Sequence, residues 1–404
     1  MKLITFSLVM AMGVFSSFGQ IGTWTSKQSM SVERSTHAGF SINGKGYVCA
    51  GAKASASSGD LDDLWEYDPS SNSWSQKANF PGGKRREVSG FAIDSFGYVG
   101  HGRNVAADEI FFSFYKYNPR TNSWSQIASC PVKRYAGAGF SIDSIGYVTC
   151  GIVPGVARYK DLYAYSPTTN KWTQKTSLPG NVDGRTTPSV TSCNHKGYLN
   201  GGFSGPTLND FYEYDPIQDN WTQKANYPKG ERSYAAMFSM GDFVVMGMGR
   251  NASDTDFQDV HYYNPSNNTW TRMKDYPQNN SAGHVSFKIG TSVYIAGGNT
   301  RAGIFRTDLY ELSAKELSVS KSFYNNASLK VFKPLSKNAI TSNLSSGSFE
   351  LSVYDLSGKL IFHNKETISS DEQKTVDING LSAGLYLVHV KNNALQSTIK
   401  VYFN

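Results

Sequence analysis

The 404-residue sequence contains only four cysteines and no long run of lysine and arginine. Cys49, Cys130, Cys150 and Cys193 lack the spacing of a disulfide scaffold or a zinc site, so we expect buried free thiols. Cys130 and Cys150 are the only pair whose predicted strand positions bring them near each other. The formal charge of +7 is spread evenly along the chain, which gives no reason to predict a nucleic-acid partner.

Motifs of the common catalytic centres are also absent. The sequence has no Gly-x-Ser-x-Gly nucleophile elbow, no His-Glu-x-x-His zinc helix and no phosphate-binding loop. Among the seven histidines, only His37 and His284 are expected to approach each other. No third ligand accompanies them, so packing or hydrogen bonding is expected rather than metal binding. We therefore predict no catalytic residue, no cofactor and no metal.

The one long apolar run is at the N-terminus. Lys2 precedes an apolar stretch from Leu3 to Phe15, and Ser17-Phe18-Gly19 is a cleavage site of the small-x-small type. These features predict a signal peptide over residues 1–19, too short for a transmembrane helix. No cysteine follows the run, so a lipoprotein anchor is not expected, and no other segment is apolar enough to span a membrane.

The chain is organised around a repeated corner. A Tyr-x-Pro tripeptide leads to a tryptophan five residues after the proline, at intervals of 50, 48, 49 and 49 residues between tryptophans. A tyrosine that ends a strand, an Asx-Pro turn and a tryptophan that begins the next strand form a hairpin corner. The five corners are Tyr67 to Trp74, Tyr117 to Trp124, Tyr165 to Trp172, Tyr214 to Trp221 and Tyr263 to Trp270.

Each repeat predicts four antiparallel strands. An arginine follows the repeat tryptophan in five copies and Ser281 in the sixth, and nine residues later comes a two-residue turn such as Asn43-Gly44. The strand between them alternates bulky residues with Gly, Ser or Ala, so that neighbouring sheets can nest. Six such strands occur but only five corners, and Trp24 precedes Arg34 as Trp124 precedes Arg134. We therefore predict a six-bladed ring closed by an N-terminal strand from Gly22 to Thr25, which removes an open sheet edge.

Residues 20–317 resemble the kelch-repeat β-propellers through the paired glycines, the Tyr-x-Pro corner and the blade tryptophan. This resemblance implies the fold and says little about activity. In kelch proteins that bind acidic peptides, arginines that lead into the first strands contribute to the ligand face. Kelch enzymes include copper radical oxidases, whose Cys-Tyr and His ligand pattern is not recognisable here, and sialic-acid mutarotases, which are also six-bladed, exported and rich in arginine.

Arginines concentrate on one predicted face, where the loop before the first strand meets the loop after the second. Five occupy the equivalent repeat position, and the sixth copy has Ser281 instead. One hypothesis is that they bind carboxylate, phosphate or sugar-acid groups. The alternative is that they brace the loops by pairing with Glu33, Glu87 and Glu231. If these three glutamates compensate their neighbours, Arg134 and Arg185 are the least satisfied internally, so we predict that an anionic ligand binds nearest blades three and four. The predicted ligand-binding residues are Arg34, Arg85, Arg134, Arg185 and Arg232.

Residues 318–329 are enriched in Ser, Lys and Asn and are predicted to be a linker, and residues 330–404 have strand patterns of their own. Short alternating segments predict a small antiparallel β-sandwich. Val331-Phe332-Lys333-Pro334, the hairpin from Val353 to Leu360, Leu381 to Val388 and Thr398 to Val401 resemble the C-terminal sorting domain of the type IX secretion system. This resemblance implies export by that machinery in a Gram-negative bacterium, followed by release or attachment to the cell surface.

Together these patterns predict an all-β, secreted or cell-surface binding module. The expected partners are a glycan, an acidic peptide or a sugar acid at the arginine-rich face, and the secretion machinery at the C-terminal domain. The alternative function is a sugar-acid mutarotase of the sialic-acid type. The sequence leaves open which ligand is bound and whether there is any catalytic activity.

Overall fold

The computed structural model describes residues 21–54, 59–180, 184–253, 255–278, 281–314 and 317, together with the strands of the C-terminal segment. The predicted signal peptide and most of the predicted linker lie outside the described residues. The chain divides into two compact units, Met1–Val319 and Ser320–Asn404. Among the described residues, no helix has the length and apolar character needed to cross a membrane.

The first unit is a six-bladed β-propeller, as predicted, with each blade a four-stranded antiparallel sheet. The strands of each blade follow one another outward from the central channel, and in blade six the outermost strand is the first in the sequence. Blades one to six consist of Ala38–Ile42, Lys45–Ala52, Asp60–Asp68 and Ser73–Lys77; Ser89–Ile93, Phe96–Gly100, Phe114–Asn118 and Ser123–Ile127; Ala138–Ile142, Ile145–Thr149, Leu162–Ser166 and Lys171–Lys175; Ser189–Cys193, Lys196–Phe203, Thr207–Asp215 and Asn220–Lys224; Ala236–Met240, Phe243–Gly247, Val260–Asn264 and Thr269–Arg272; and Val285–Ile289, Ser292–Ala296, Leu309–Ser313 and Thr23–Ser26.

The N-terminal strand closes the ring. Thr23–Ser26 pairs antiparallel with Leu309–Ser313, and Trp24 lies opposite Leu312. The Nε1 of Trp24 donates to the backbone carbonyl of Lys274 at 3.1 Å, which ties blade six to blade five. The prediction that the first blade-like tryptophan completes the last blade is therefore confirmed.

Neighbouring blades nest because a phenylalanine of one blade covers a glycine of the next. Phe40 of blade one lies against Gly97 of blade two, so closely that a Cβ on the glycine would overlap the ring. A blade edge without side chains at this position lets the sheets approach near the axis. The same pairing joins Phe91 to Gly146, Phe140 to Gly197 and Phe287 to Gly46.

The repeated corners join the blades at the rim of the ring. Tyr67 donates its hydroxyl proton to Oδ1 of Asn72 at 2.8 Å, and the backbone N–H of Gln28 donates to the same oxygen at 3.0 Å. Trp74 returns a hydrogen bond from Nε1 to the Gln28 carbonyl at 2.8 Å. Asn72 and Trp74 of one corner thus form two hydrogen bonds with the backbone of Gln28, which follows the outermost strand of the preceding blade. The equivalent tryptophan donors are Trp124, Trp172, Trp221 and Trp270.

The second unit contains two antiparallel sheets, as expected for a small sandwich. The three-stranded sheet includes Ala339–Leu344, a strand that the sequence patterns did not indicate. In the four-stranded sheet, Leu351 and Val353 are buried. The first sheet contains Leu329–Phe332, Ala339–Leu344 and Gln373–Asp377, and the second contains Leu360–Ile368, Gly347–Tyr354, Gly384–Asn392 and Gln396–Phe403.

Candidate functional site

Six equivalent loop pairs form one face of the propeller, here called the loop face. In each blade, the residue after the repeat position forms a β-bridge with a residue at the end of the second strand or shortly after it. Two short ribbons, Arg103–Asn104 with Glu109–Ile110 and Ile152–Val153 with Ala157–Arg158, extend this face in blades two and three. The six bridges are Ser35 to Ala52, Arg86 to Arg103, Tyr135 to Ile152, Thr186 to Phe203, Ser233 to Arg250 and Ala282 to Asn299.

The five repeat arginines are buried beneath this face. Their side chains are among the largest fully buried ones in the described part of the chain. Four of them form ion pairs with an aspartate on the third strand or just before it, and each of the five also donates to a backbone carbonyl sixteen residues further on. The ion pairs are Arg34 to Asp63 at 2.7 Å, Arg134 to Asp161 at 2.5 Å, Arg185 to Asp210 at 2.6 Å and Arg232 to Asp259 at 3.1 Å.

This placement corrects the expectation that Arg134 and Arg185 are the least satisfied internally, because each has a bidentate aspartate partner. It also corrects the predicted bracing partners, since Glu87 contacts Arg103 instead of Arg85. A guanidinium group with no exposed surface and a bound carboxylate cannot reach a ligand without breaking its ion pair. The geometry therefore favours bracing over ligand contact for these arginines.

Blades two and six differ from the other four blades at the buried arginine–aspartate pair. In blade two, Ser113 stands where the others have aspartate, and Arg85 donates to the His101 carbonyl at 3.1 Å while its guanidinium lies 3.6 Å from the centre of the Phe111 ring. Burial without a carboxylate lowers the pKa of Arg85 to about 10. In blade six the repeat position is Ser281, and Arg306 supplies the guanidinium that meets Asp308 at 3.2 Å.

A closed ring of backbone hydrogen bonds surrounds the channel at the loop face. Each blade contributes the residue two positions after its repeat arginine or serine, and every one of these residues has a positive φ, from 52° to 70°. Each N–H donates to the carbonyl of the equivalent residue in the preceding blade, at 2.7 to 3.2 Å. The left-handed conformation directs both groups along the ring. The ring consists of Thr36, Glu87, Ala136, Thr187, Tyr234 and Gly283.

Two side chains of this ring meet across the axis. The Tyr234 hydroxyl donates to Oε1 of Glu87 at 3.3 Å, although blades five and two lie on opposite sides of the channel. Oε2 of Glu87 accepts from Nε of Arg103 at 2.7 Å. Burial raises the pKa of Glu87 against the opposing effect of Arg103, and burial with the nearby Glu87 charge raises that of Tyr234. We call this pair the Glu87–Tyr234 bridge.

A small pocket, here called the mouth pocket, lies on the outer side of the bridge. Its volume is about 170 Å³, and its walls include Arg86, Arg103 and Arg250. Arg103 and Arg250 occupy equivalent positions in the opposite blades two and five. Arg103 lies 4.3 Å from the centre of the Tyr135 ring and has 36% of its side chain exposed. Arg250 pairs with Asp256 at 2.9 Å and Arg86 pairs with Asp60.

The sequence placed Arg86, Arg103 and Arg250 on the arginine-rich face but singled out the five repeat arginines as the ligand-binding residues. At the bridge position near the end of the second strand, only blades two and five carry arginine, so the pocket is a departure from the repeat. A signal was present, since Arg103 and Arg250 each directly follow a glycine, Gly102 or Gly249, just after the second strand ends at Gly100 or Gly247. A comparison of the repeats alone gave no reason to prefer Arg103 and Arg250 to the five repeat arginines as ligand-binding residues.

On the inner side of the bridge lies the central channel, with a cavity of about 480 Å³ lined by the first strands. His37 and His284 both border it, as expected from their equivalent positions. Burial is the main cause that lowers the pKa of each, so both are neutral near pH 7. Within the described residues, no three side chains of His, Cys, Asp or Glu cluster as metal ligands, and the four cysteines are free and buried.

The chain is similar to known proteins in two separate segments. Residues 129–298 match the family described as KLHDC2/KLHL20/DRC7 Kelch-repeats domain, and residues 334–404 match the secretion system C-terminal sorting domain. The solved structures that resemble it include that of YjhT, with 19% sequence identity, a TM-score of 0.61, and coverage of 72% of this chain and 98% of the YjhT chain. This likeness shows the fold alone. No curated protein matches the chain in sequence.

Proposed function

Since the chain is a kelch-repeat β-propeller followed by a secretion system C-terminal sorting domain, we propose that it is a secreted or cell-surface binding module for an anionic glycan or sugar acid. The ligand binds in the mouth pocket, and the five repeat arginines support the surrounding loops from below. The observation that carries this proposal is the placement of Arg103 and Arg250 on opposite sides of the pocket, above the Glu87–Tyr234 bridge.

The charges around the pocket favour a sugar over an acidic peptide. Glu87 lines the pocket beside the three arginines, and Asp60 and Asp256 pair with Arg86 and Arg250, so the site offers hydrogen-bond donors and acceptors together. Hydroxyl groups both donate and accept, whereas a peptide with several carboxylates would be repelled by the acidic side chains. Arg103 uses Nε for Glu87 and exposes part of its guanidinium, which suits a charge-assisted hydrogen bond to one carboxylate.

A glycan array tests this function. The full-length exported protein and its Arg103→Ala and Arg120→Ala variants are applied at two salt concentrations. We expect binding to glycans that end in a sugar acid, weaker binding at high salt, and a loss of about tenfold or more in the Arg103 variant, as for one charge-assisted hydrogen bond. Arg120 lies in a turn of the opposite face and is the matched control. Binding confined to acidic peptides, or equal binding by both variants, contradicts the proposal.

The mutarotase alternative has one observation in its favour. Exchange between sugar anomers requires one group that donates a proton and one that accepts a proton, and Glu87 with its raised pKa lies beside the Tyr234 hydroxyl at the floor of the mouth pocket. NMR of anomer exchange on sialic acid separates the two functions. Anomer exchange that is faster than the uncatalysed rate with the wild-type protein, and not with Glu87→Gln, would favour the mutarotase. Exchange at the uncatalysed rate with the wild-type protein would favour the binding module.

A further inference from the structure

The central channel is closed at one end and open at the other. The backbone ring and the Glu87–Tyr234 bridge stand between the mouth pocket and the channel, since Thr36, Glu87 and Tyr234 border both cavities. Asp94 and Lys288 border the channel cavity near the opposite face, where the turns between first and second strands lie. A ligand therefore reaches the channel from the face opposite the mouth pocket.

Polar side chains without protein partners face the closed end. Oγ1 of Thr187 and both ring nitrogens of His37 are buried and have no hydrogen bond of good geometry to the protein. Thr187 is 9% exposed and His37 is 7% exposed, and both border the cavity. Buried polar groups are normally satisfied by protein, water or ligand, so these groups indicate a place where hydrogen-bonding atoms are bound.

The arrangement of these groups suits hydroxyl groups. His37 in blade one and Thr187 in blade four belong to opposite blades of the ring, as Glu87 and Tyr234 do. A neutral histidine and a threonine each offer one donor and one acceptor, and Glu87 only accepts. Among the described residues that line this end of the channel, Glu87 is the one charged group, so an anionic ligand is disfavoured there.

The channel wall and its size agree with this chemistry. Four blades place a serine at the same wall position, and the small residues at the neighbouring wall position leave the channel wide in blades one to three. A cavity of about 480 Å³ falls in the range of small-molecule pockets. The serines are Ser41, Ser141, Ser192 and Ser239, and the small residues are Gly39, Gly90 and Gly139.

From these observations we propose that the channel is a second binding site, for an uncharged polyhydroxy ligand of monosaccharide size. The ligand places its hydroxyl groups against His37 and Thr187 and enters from the face opposite the mouth pocket. This site does not depend on the function proposed for the mouth pocket, because the two cavities are separated by the ring and take ligands of different charge.

Saturation-transfer NMR on the full-length protein tests the channel site with D-glucose, D-galactose and N-acetyl-D-glucosamine as probes. We expect saturation transfer to at least one of them, and an affinity about tenfold lower in Thr187→Val, which keeps the side-chain shape and removes the hydroxyl. Ser141→Phe adds a ring to the channel wall and should abolish the signal. Arg120→Ala changes an exposed turn that borders neither cavity and should leave the signal unchanged.

Tryptophan fluorescence during urea unfolding checks that each variant is folded. Thr187→Val removes a buried hydroxyl without a protein partner, so it should retain at least the wild-type stability and remains informative if Ser141→Phe fails to fold. No saturation transfer to any of the three sugars means that the channel holds water alone and overturns the proposal. Binding that Thr187→Val leaves unchanged, or binding that Arg120→Ala removes, also overturns the proposal.

Discussion

The buried arginine–aspartate pairs predict a large loss of stability when the arginine alone is removed. In Arg134→Ala, the lost guanidinium group donates to both carboxylate oxygens of Asp161 and, at 2.8 Å, to the Cys150 carbonyl, and it lies 4.6 Å from the centre of the Tyr159 ring. The variant leaves Asp161 with 14% of its side chain exposed and no cationic partner from this pair.

The magnitude follows from the cost of an unpaired, mostly buried charge. Breaking a buried ion pair by removal of one partner costs ~3–5 kcal/mol. Asp161 keeps some contact with water, so we expect the lower part of this range, ~3–4 kcal/mol of unfolding free energy. A domain this large shifts its Tm by roughly 2 °C per kcal/mol, which gives a decrease of about 6–8 °C.

Tryptophan fluorescence measures this loss in the full-length protein, because all seven tryptophans precede residue 271 and report on the propeller alone. Urea unfolding of Arg134→Ala, Asp161→Ala and the double variant gives a double-mutant cycle, with an expected coupling of ~1–3 kcal/mol. Arg120→Ala, an exposed arginine, should stay within about 0.5 kcal/mol of wild type. A loss below 1 kcal/mol in Arg134→Ala, or additive losses in the cycle, would refute the bracing role.

Four further outcomes test the fold, the export and the bridge. Deletion of residues 21–26 should lower the thermal midpoint and promote self-association through the exposed sheet edge, and an unchanged midpoint would contradict closure. Deletion of residues 334–404 should leave the propeller in the periplasm, as measured by cell fractionation, whereas normal amounts outside the cell would exclude a sorting role. Gly97→Val should cost ~1–3 kcal/mol in urea unfolding because its side chain overlaps Phe40, and a neutral effect would argue against close nesting. Burial raises the pKa of Glu87 above 4.5, so the folded state binds more protons than the unfolded state, and the unfolding free energy should fall as pH rises through the raised pKa. Glu87→Gln should flatten this pH dependence. An unaltered profile in the variant would show that Glu87 does not cause it.

The propeller could be predicted from the sequence because the residues that form the turns and strands of a blade recur at a regular spacing. The Tyr-x-Pro corner and the tryptophan recur in five copies, and Trp24 alone indicated how the sixth blade is completed. The alternation of bulky and small residues predicted that neighbouring blades nest. In the structure, Phe40 of blade one packs against Gly97 of blade two. The strand Ala339–Leu344 was missed because its Ala-Ile-Thr-Ser-Asn-Leu sequence has little alternation.

The role of the repeat arginines was harder to predict from the sequence. Their position on one face suggested a ligand surface, but burial depends on how far each side chain reaches beneath its loop. The missing signal was an aspartate four residues before the corner tyrosine, as in Asp63 before Tyr67 and Asp161 before Tyr165. A charge that recurs with its partner in the same repeat indicates an internal pair, whereas a charge found in only two blades, like Arg103, indicates a site.

The bridge across the channel had no sequence signal of this kind. Glu87 and Tyr234 are 147 residues apart and belong to different residue types at one repeat position. Only the geometry of the ring, in which blades two and five face each other, brings them together. Contacts between opposite blades depend on the closed ring as a whole, so a comparison of repeats along the chain cannot find them.

The measurement that tests the account most directly is the affinity for N-acetylneuraminic acid per folded molecule, in Arg103→Ala and Arg134→Ala side by side. We predict that Arg103→Ala weakens binding about tenfold or more per folded molecule, because the partly exposed Arg103 side chain is then absent from the mouth pocket. Arg134→Ala should keep wild-type affinity while its unfolding midpoint falls. The opposite pattern, with full affinity in Arg103→Ala and a stable Arg134→Ala that no longer binds, would place the ligand on the repeat arginines and contradict the account.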